Sequence, residues 1–213
     1  LDIFNVNIAS TAFLLDFAYK NRVRHFVFAS SGGVYAQSEA PIEEGGTITS
    51  FEKMGYYISS KFSGELLAQS YSKEFKVDIP RFFFIYGPRQ KRSMLIPRIV
   101  DSVRDGKIIK LDGKDGLMVN PIYVRDASYA LEQMIKYEGE GRVYNVGGPE
   151  ILSIRKIAEI AALSQSREPK FEIAEGGGLH LISNNSLMES NLCVPKYRFE
   201  EEIKSIIVQG ASQ

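Results

Sequence analysis

Two apolar runs, Arg24 to Ser30 and Val77 to Tyr86, constrain the fold of this chain more than any other feature. They carry apolar residues nearly along their length rather than in alternation, the pattern of strands buried on both faces of a parallel sheet. Between them, Tyr56 to Phe75 has helical periodicity, with Ile58, Phe62 and Leu66 on its expected core side. Leu1 to Asn21 is a second helix. Ile8, Ala12, Leu15 and Tyr19 line one face, and Phe13, Leu14 and Phe17 widen it, so burial on two sides is expected. This strand–helix alternation predicts an α/β fold with a Rossmann-like parallel sheet.

Past Tyr86 the elements shorten. The pattern predicts a helix over Leu95 to Asp105 closed by Gly106, and a strand over Lys107 to Leu111. Asp126 is a good N-cap for a helix over Ala127 to Tyr137. A strand over Gly141 to Gly148, a helix capped by Ser153, a strand over Lys170 to Ala174 and a last helix over Phe199 to Val208 follow. The expected division is 1–88 for the sheet domain, and 89–213 mainly for a small α/β substrate subdomain.

The chemistry centres on Tyr57 and Lys61. Four residues apart on a helix, they share one face. An ammonium beside a phenol favours the phenolate, which would bring Tyr57 toward working pH as an acid/base for a hydroxyl or carbonyl. In a chain with 11 Tyr such a spacing also arises by chance, so the pair alone carries little weight. Context strengthens it. The strand ending at Ser30 opens into Ser31-Gly32-Gly33, and ligands bind at strand ends of open α/β sheets. Ser31 can therefore meet Tyr57 over one substrate oxygen; its alternative role is a turn residue. Of the adjacent tyrosines only Tyr57 has lysine four positions on, which leaves Tyr56 to packing. Arg89-Gln-Lys-Arg92 is either a solvated loop or, following a strand end, an attractor for a substrate phosphate.

Other classes find no support. The formal net charge is zero, giving no electrostatic case for nucleic acid or an anionic membrane. No apolar run approaches the roughly 20 residues of a membrane span. The single cysteine, Cys193, permits no internal disulfide and suits a reducing compartment, so cytoplasm is the expectation. Neither His25 nor His180 has a partner at metal-ligand spacing, so no metal is expected.

Phe26-Val-Phe-Ala-Ser-Ser-Gly-Gly-Val-Tyr35, Tyr57-Ile-Ser-Ser-Lys-Phe-Ser-Gly-Glu65 and Arg81-Phe-Phe-Phe-Ile-Tyr-Gly-Pro88 together resemble the extended short-chain dehydrogenase/reductases, the NAD-dependent epimerases and dehydratases of activated sugars. The resemblance implies Tyr57 as acid/base, Lys61 on the nicotinamide ribose and Ser31 on the reacting oxygen. It implies NAD as cofactor, with NADP not excluded, held by Asn7, Ala29, Ser30, Tyr57, Lys61, Phe83 and Phe84. It implies a sugar-nucleotide or related substrate against Ser31, Gly32, Tyr57, Phe84 and Arg89, and a homodimer built from the two helices. Asn7 has a second reading as a helix cap.

The departures from the family pattern matter. Gly32-Gly33 stands where the family's dehydratases carry acidic residues, which makes dehydration unexpected. Phe84 and Val119 stand where sugar-nucleotide members usually have Asn and Arg on the diphosphate. Other groups such as Arg89 or Arg92 would have to substitute, or the substrate is a non-nucleotide carbonyl compound. A non-catalytic, dimerising family member is the third reading. No glycine-rich dinucleotide turn occurs, so the chain reads as the family's C-terminal two-thirds, and these 213 residues are expected to bind nicotinamide cofactor weakly.

Overall fold

The computed structural model describes residues 1–210. Its first helix, α1 (2–20), runs without a break through Asp2–Phe4, a π-helical turn at Asn5–Ala9 and Ser10–Lys20. Strands β1 (His25–Val27) and β2 (Ser30–Ser31) follow, then helix α2 (Tyr56–Ser70) and strand β3 (Lys76–Phe82). Next come α3 (Leu95–Arg104), β4 (Ile108–Asp112), β5 (Met118–Val119), α4 (Val124–Lys136), β6 (Val143–Val146) and β7 (Leu152–Ser153). The chain continues through α5 (Ile154–Gln165), β8 (Lys170–Ala174), α6 (Ser186–Asn191), α7 (Phe199–Glu202) and α8 (Lys204–Gly210). No helix of the described residues is long and apolar enough to cross a membrane.

The main sheet is parallel and centred on β3. His25 lies opposite Lys76 and Ser30 opposite Arg81, so β1 and β2 keep one register and are two halves of a single strand interrupted at Phe28 and Ala29. On the other side of β3, Ile79 pairs with Val143 and Phe82 with Val146. The sheet therefore takes a strand from well beyond residue 88. The apolar run after Val77 stays a strand only to Phe82, because Phe84 turns the backbone into the left-handed region at φ 48°. Tyr86 then rejoins regular structure through a single bridge to Tyr123.

A second lobe forms around α3, α5 and the parallel pair β4–β8, with β5 antiparallel to β7. Its core gathers Tyr86, Ile96, Val100, Leu111, Ile157 and Phe199. Two end signals resolve differently. Ser153 caps α5 as expected, accepting the Lys156 N–H at 3.0 Å. Asp126 is not a cap: α4 starts at Val124, and the buried Asp126 carboxylate accepts the N–H groups of Lys196 and Tyr197 at 2.8 and 2.9 Å. The expected last helix is two pieces, α7 and α8, parted at Ile203.

Each sheet helix buries part of its expected face. On α1 only Thr11, Leu15 and Ala18 are buried, while Phe13 is 76% exposed and Phe17 61%. Within one copy, one side packs and the other is left exposed. On α2 Ser60, Gly64, Glu65 and Ala68 are buried, Ile58 and Phe62 are half-buried against the Val34, Tyr35, Ile42 and Phe83 cluster as expected, and Leu66 points outward. The cause is close approach to the sheet. A Cβ on Gly64 would sit 2.3 Å from the Phe28 ring, so only glycine lets the helix lie there.

Glu65 is buried because it has a cation to meet. Arg81 Nε donates to Glu65 Oε1 at 3.0 Å and Arg81 Nη2 to Oε2 at 2.6 Å, a bidentate pair between helix and central strand. Arg81 Nη1 also donates to the Tyr35 hydroxyl at 2.7 Å, which donates to Asn145 Oδ1 at 2.9 Å on β6. Ser30 Oγ donates to Glu65 Oε1 at 2.5 Å. One buried network thus joins α2, both strands flanking β3 and the loop after Ser31.

Candidate active site

A cavity of about 640 Å³ opens at the C-terminal ends of β2 and β3. Ala29, Ser30, Ser31, Gly32, Tyr57, Lys61, Phe83 and Phe84 all line it, so eight of the ten expected site residues come together. Asn7 and Arg89 are not among its lining residues. Asn7 lies inside the π turn of α1, not at a cap. Its Nδ2 donates to Ser60 Oγ at 2.9 Å, and Ser60 Oγ donates to the Tyr57 carbonyl at 2.7 Å. Asn7 therefore braces the helical turn that carries Tyr57.

Ser31 precedes a 3₁₀ turn, Gly32–Val34, and its Oγ accepts the Gly33 N–H at 3.1 Å. That bond uses a lone pair and leaves the hydroxyl proton to donate. Tyr57, 48% exposed, sits in the first turn of α2, and its hydroxyl has no hydrogen-bond partner among the described residues. Lys61 Nζ donates to the Ala29 carbonyl at 3.1 Å and lies 5.5 Å from the Phe28 ring centroid.

Burial dominates the electrostatics here. It pushes the Tyr57 phenol above its ordinary value and the Lys61 ammonium below its own. The expectation that Lys61 draws the phenol down is not met in this geometry. Both groups are pushed toward neutrality, and the ammonium is turned to a carbonyl instead.

Among the described residues that line the cavity, Lys61 is the sole charged one and none is a carboxylate. Arg92, expected as a possible phosphate contact, is committed elsewhere. It forms a bidentate pair with Asp101 and donates to the Ile206 carbonyl at 3.2 Å. Several lining residues were not expected from the sequence: Gln90, Met94 to Ile96 at the start of α3, Ala127 and Leu131 of α4, and Leu181. Only Gln90 had a signal, its place just after a strand end.

Ser31, Tyr57 and Lys61 are thus gathered over the strand ends of a parallel sheet. Residues 1–147 match the description "NAD dependent epimerase/dehydratase family", and the chain belongs to that family. Among curated relatives, dTDP-glucose 4,6-dehydratase of Streptomyces griseus is 36% identical over 203 residues, covering 92% of this chain and 58% of its own. The uncharacterized UDP-glucose epimerase YtcB of Bacillus subtilis is 28% identical over 157 residues, 72% of this chain and 49% of its own. The chain thus spans about half the length of these relatives.

Among solved structures, UDP-glucuronic acid 4-epimerase from Bacillus cereus, in complex with UDP-glucuronic acid and NAD, superposes with a TM-score of 0.84 at 21% identity. It covers 98% of this chain and 68% of that one. UDP-glucose 4-epimerase of Thermus thermophilus, in complex with NAD, gives 0.79 at 24% identity, covering 96% and 70%. These likenesses establish the fold.

Proposed function

We propose that this protein is an NAD-dependent epimerase acting on a hydroxyl-bearing carbon of a nucleotide-activated sugar. The observation that carries the reading is the convergence of Ser31, Tyr57 and Lys61 on one cavity that contains no carboxylate. The residues present fit the nicotinamide end of NAD. Lys61 has ammonium protons beyond the one given to Ala29, suited to ribose hydroxyls, and the Tyr57 hydroxyl is uncommitted among the described residues. When bound, NAD supplies hydride acceptance and return. Tyr57 takes the proton of the substrate hydroxyl as its carbon is oxidised and returns it after reduction. Ser31 Oγ donates to the same oxygen and holds it in place. Asn7 and Arg89 remain proposed cofactor and substrate contacts, respectively, by family resemblance.

Dehydration is disfavoured by shape as well as by composition. A Cβ on Gly32 would lie 2.6 Å from the Phe83 ring, so a carboxylate side chain has no room there. Incubating the NAD-loaded protein with UDP-glucose, UDP-glucuronic acid and dTDP-glucose tests the reading by NMR and mass spectrometry. The expected product is a 4-epimer of unchanged mass. A product lighter by one water contradicts it. The alternative, reduction of a non-nucleotide carbonyl substrate, is favoured by Phe84 in the cavity wall and by Val119, fully buried where the family's arginine would stand.

Association follows from the helices. The exposed apolar side chains Val6, Phe13, Leu14 and Phe17 of α1, with Tyr56 and Leu66 of α2, fit a second copy of this chain in an isologous dimer. Light scattering at micromolar concentration is expected to give twice the monomer mass, and Phe13→Glu/Phe17→Glu to give the monomer. A wild-type monomer contradicts the proposal.

A further inference from the structure

The cavity pairs a few polar groups with a broad apolar wall. Phe84, Ile85, Met94, Leu95, Val124 and Leu181 line it from four separate segments of the chain. All six keep accessible surface, with Met94 51% exposed and Val124 37%, so they offer carbon to whatever enters. Most of the polar side chains are already committed. Ser30 gives its hydroxyl proton to Glu65 at 2.5 Å, and Ser128 gives its own to the Val124 carbonyl at 2.8 Å. Gln90 Nε2 donates to the Ile85 carbonyl at 2.7 Å. The lining hydroxyls whose protons have no acceptor among the described residues are those of Ser31 and Tyr57. Both serve the reacting oxygen in the proposed mechanism.

Charge is scarcer still. Lys61 is the one ion among the described lining residues, and its ammonium is turned to the Ala29 carbonyl at 3.1 Å. Arg89, Lys91 and Arg92 flank Gln90 in sequence but do not line the cavity. Burial already disfavours ions here, pushing the Lys61 ammonium below its ordinary value and the Tyr57 phenol above its own. A carboxylate carried against such a wall gives up water and meets carbon, whereas a hydroxymethyl or methyl group loses little. We infer that the site is selective for an uncharged sugar ring: it takes a hexose whose C6 bears a hydroxyl or only hydrogen, and excludes the corresponding uronate. This rests on the nucleotide-sugar reading of the same cavity.

Three probes that share one nucleotide isolate the group at C6: UDP-glucose, UDP-glucuronic acid and the neutral amide of UDP-glucuronic acid. Each is titrated calorimetrically into the protein with NAD raised to saturation. The expected result is about 10²-fold weaker binding of UDP-glucuronic acid than of UDP-glucose, with the amide within about threefold of UDP-glucose. Equal or tighter binding of UDP-glucuronic acid overturns the inference and leaves the nucleotide-sugar reading standing. An amide weakened as much as the acid also overturns it, because exclusion is then by size and not by charge. If the protein binds none of the three, the nucleotide-sugar reading fails and the inference falls with it.

Discussion

Tyr57→Phe is expected to lower turnover by about 10²–10⁴-fold, the usual range for loss of a positioned acid/base. Thermal stability should be unchanged, because the Tyr57 hydroxyl bonds to no described residue and its ring is half exposed. The pH dependence follows from the burial of the phenol. Burial raises the Tyr57 pKa, so at neutral pH the ligand-free site holds phenol and only a small fraction of phenolate. The oxidative half-reaction needs the phenolate, so its rate should climb about tenfold per pH unit below that pKa. Lys61→Met should lower the rate further and weaken NAD, since it removes the one cation lining the cavity. Stopped-flow rates across pH for the three proteins check this. A Tyr57→Phe variant with near wild-type turnover removes Tyr57 from the chemistry.

Arg81→Met is expected to destabilise the fold by about 3–5 kcal/mol, the range for breaking a buried ion pair from one side. Glu65 and Arg81 are 1% and 5% exposed, so neither charge has water to fall back on. Removing the guanidinium strands the carboxylate and also takes a donor from Tyr35. The double variant Glu65→Leu/Arg81→Met should recover much of the loss, because an apolar pair leaves no orphaned charge. Denaturant unfolding of the two single variants and the double variant gives the coupling directly. A loss below about 1 kcal/mol for Arg81→Met would place the pair among weak surface bridges. Because Ser30 also donates to Glu65, the same variant should disturb the strand end that carries Ser31.

The parallel sheet was legible because its strands read as apolar runs whatever their partners: β3 is buried almost along its length, while β1 is only half-buried. The burial of α2 was legible only in part. Its helical periodicity pointed to Ile58, Phe62 and Leu66, of which the first two are half-buried against a core cluster, while the fully buried residues are Ser60, Gly64, Glu65 and Ala68. The Phe28 ring demands a glycine there, and the carboxylate is buried only because Arg81 waits across the interface. Both causes lie far away in sequence, beyond any local periodicity. Asp126 misled for a similar reason: a residue shaped for a helix cap was instead claimed by the backbone of Lys196 and Tyr197.

The site shows the same division. Ser31, Tyr57 and Lys61 stood out by residue type and spacing, and they share the cavity. Gln90 and Arg92 sit two positions apart in one polar run with opposite fates. Arg92 folds back on Asp101 of α3, while Gln90 lines the cavity and donates to the Ile85 carbonyl. Composition cannot separate such neighbours; the path of the loop after Phe84 does.

The central proposal is that Tyr57, with Ser31 and Lys61, moves the hydroxyl proton while hydride passes to bound nicotinamide. A single-turnover experiment tests it most directly: mix the protein, with NAD raised to saturation, with excess UDP-glucose or UDP-glucuronic acid and follow the near-ultraviolet absorbance of reduced nicotinamide. The expected result is a transient rise with wild-type protein, slowed by at least about 10²-fold in Tyr57→Phe. A rise of equal rate in both proteins, or none in the wild type with either sugar, would contradict the proposal.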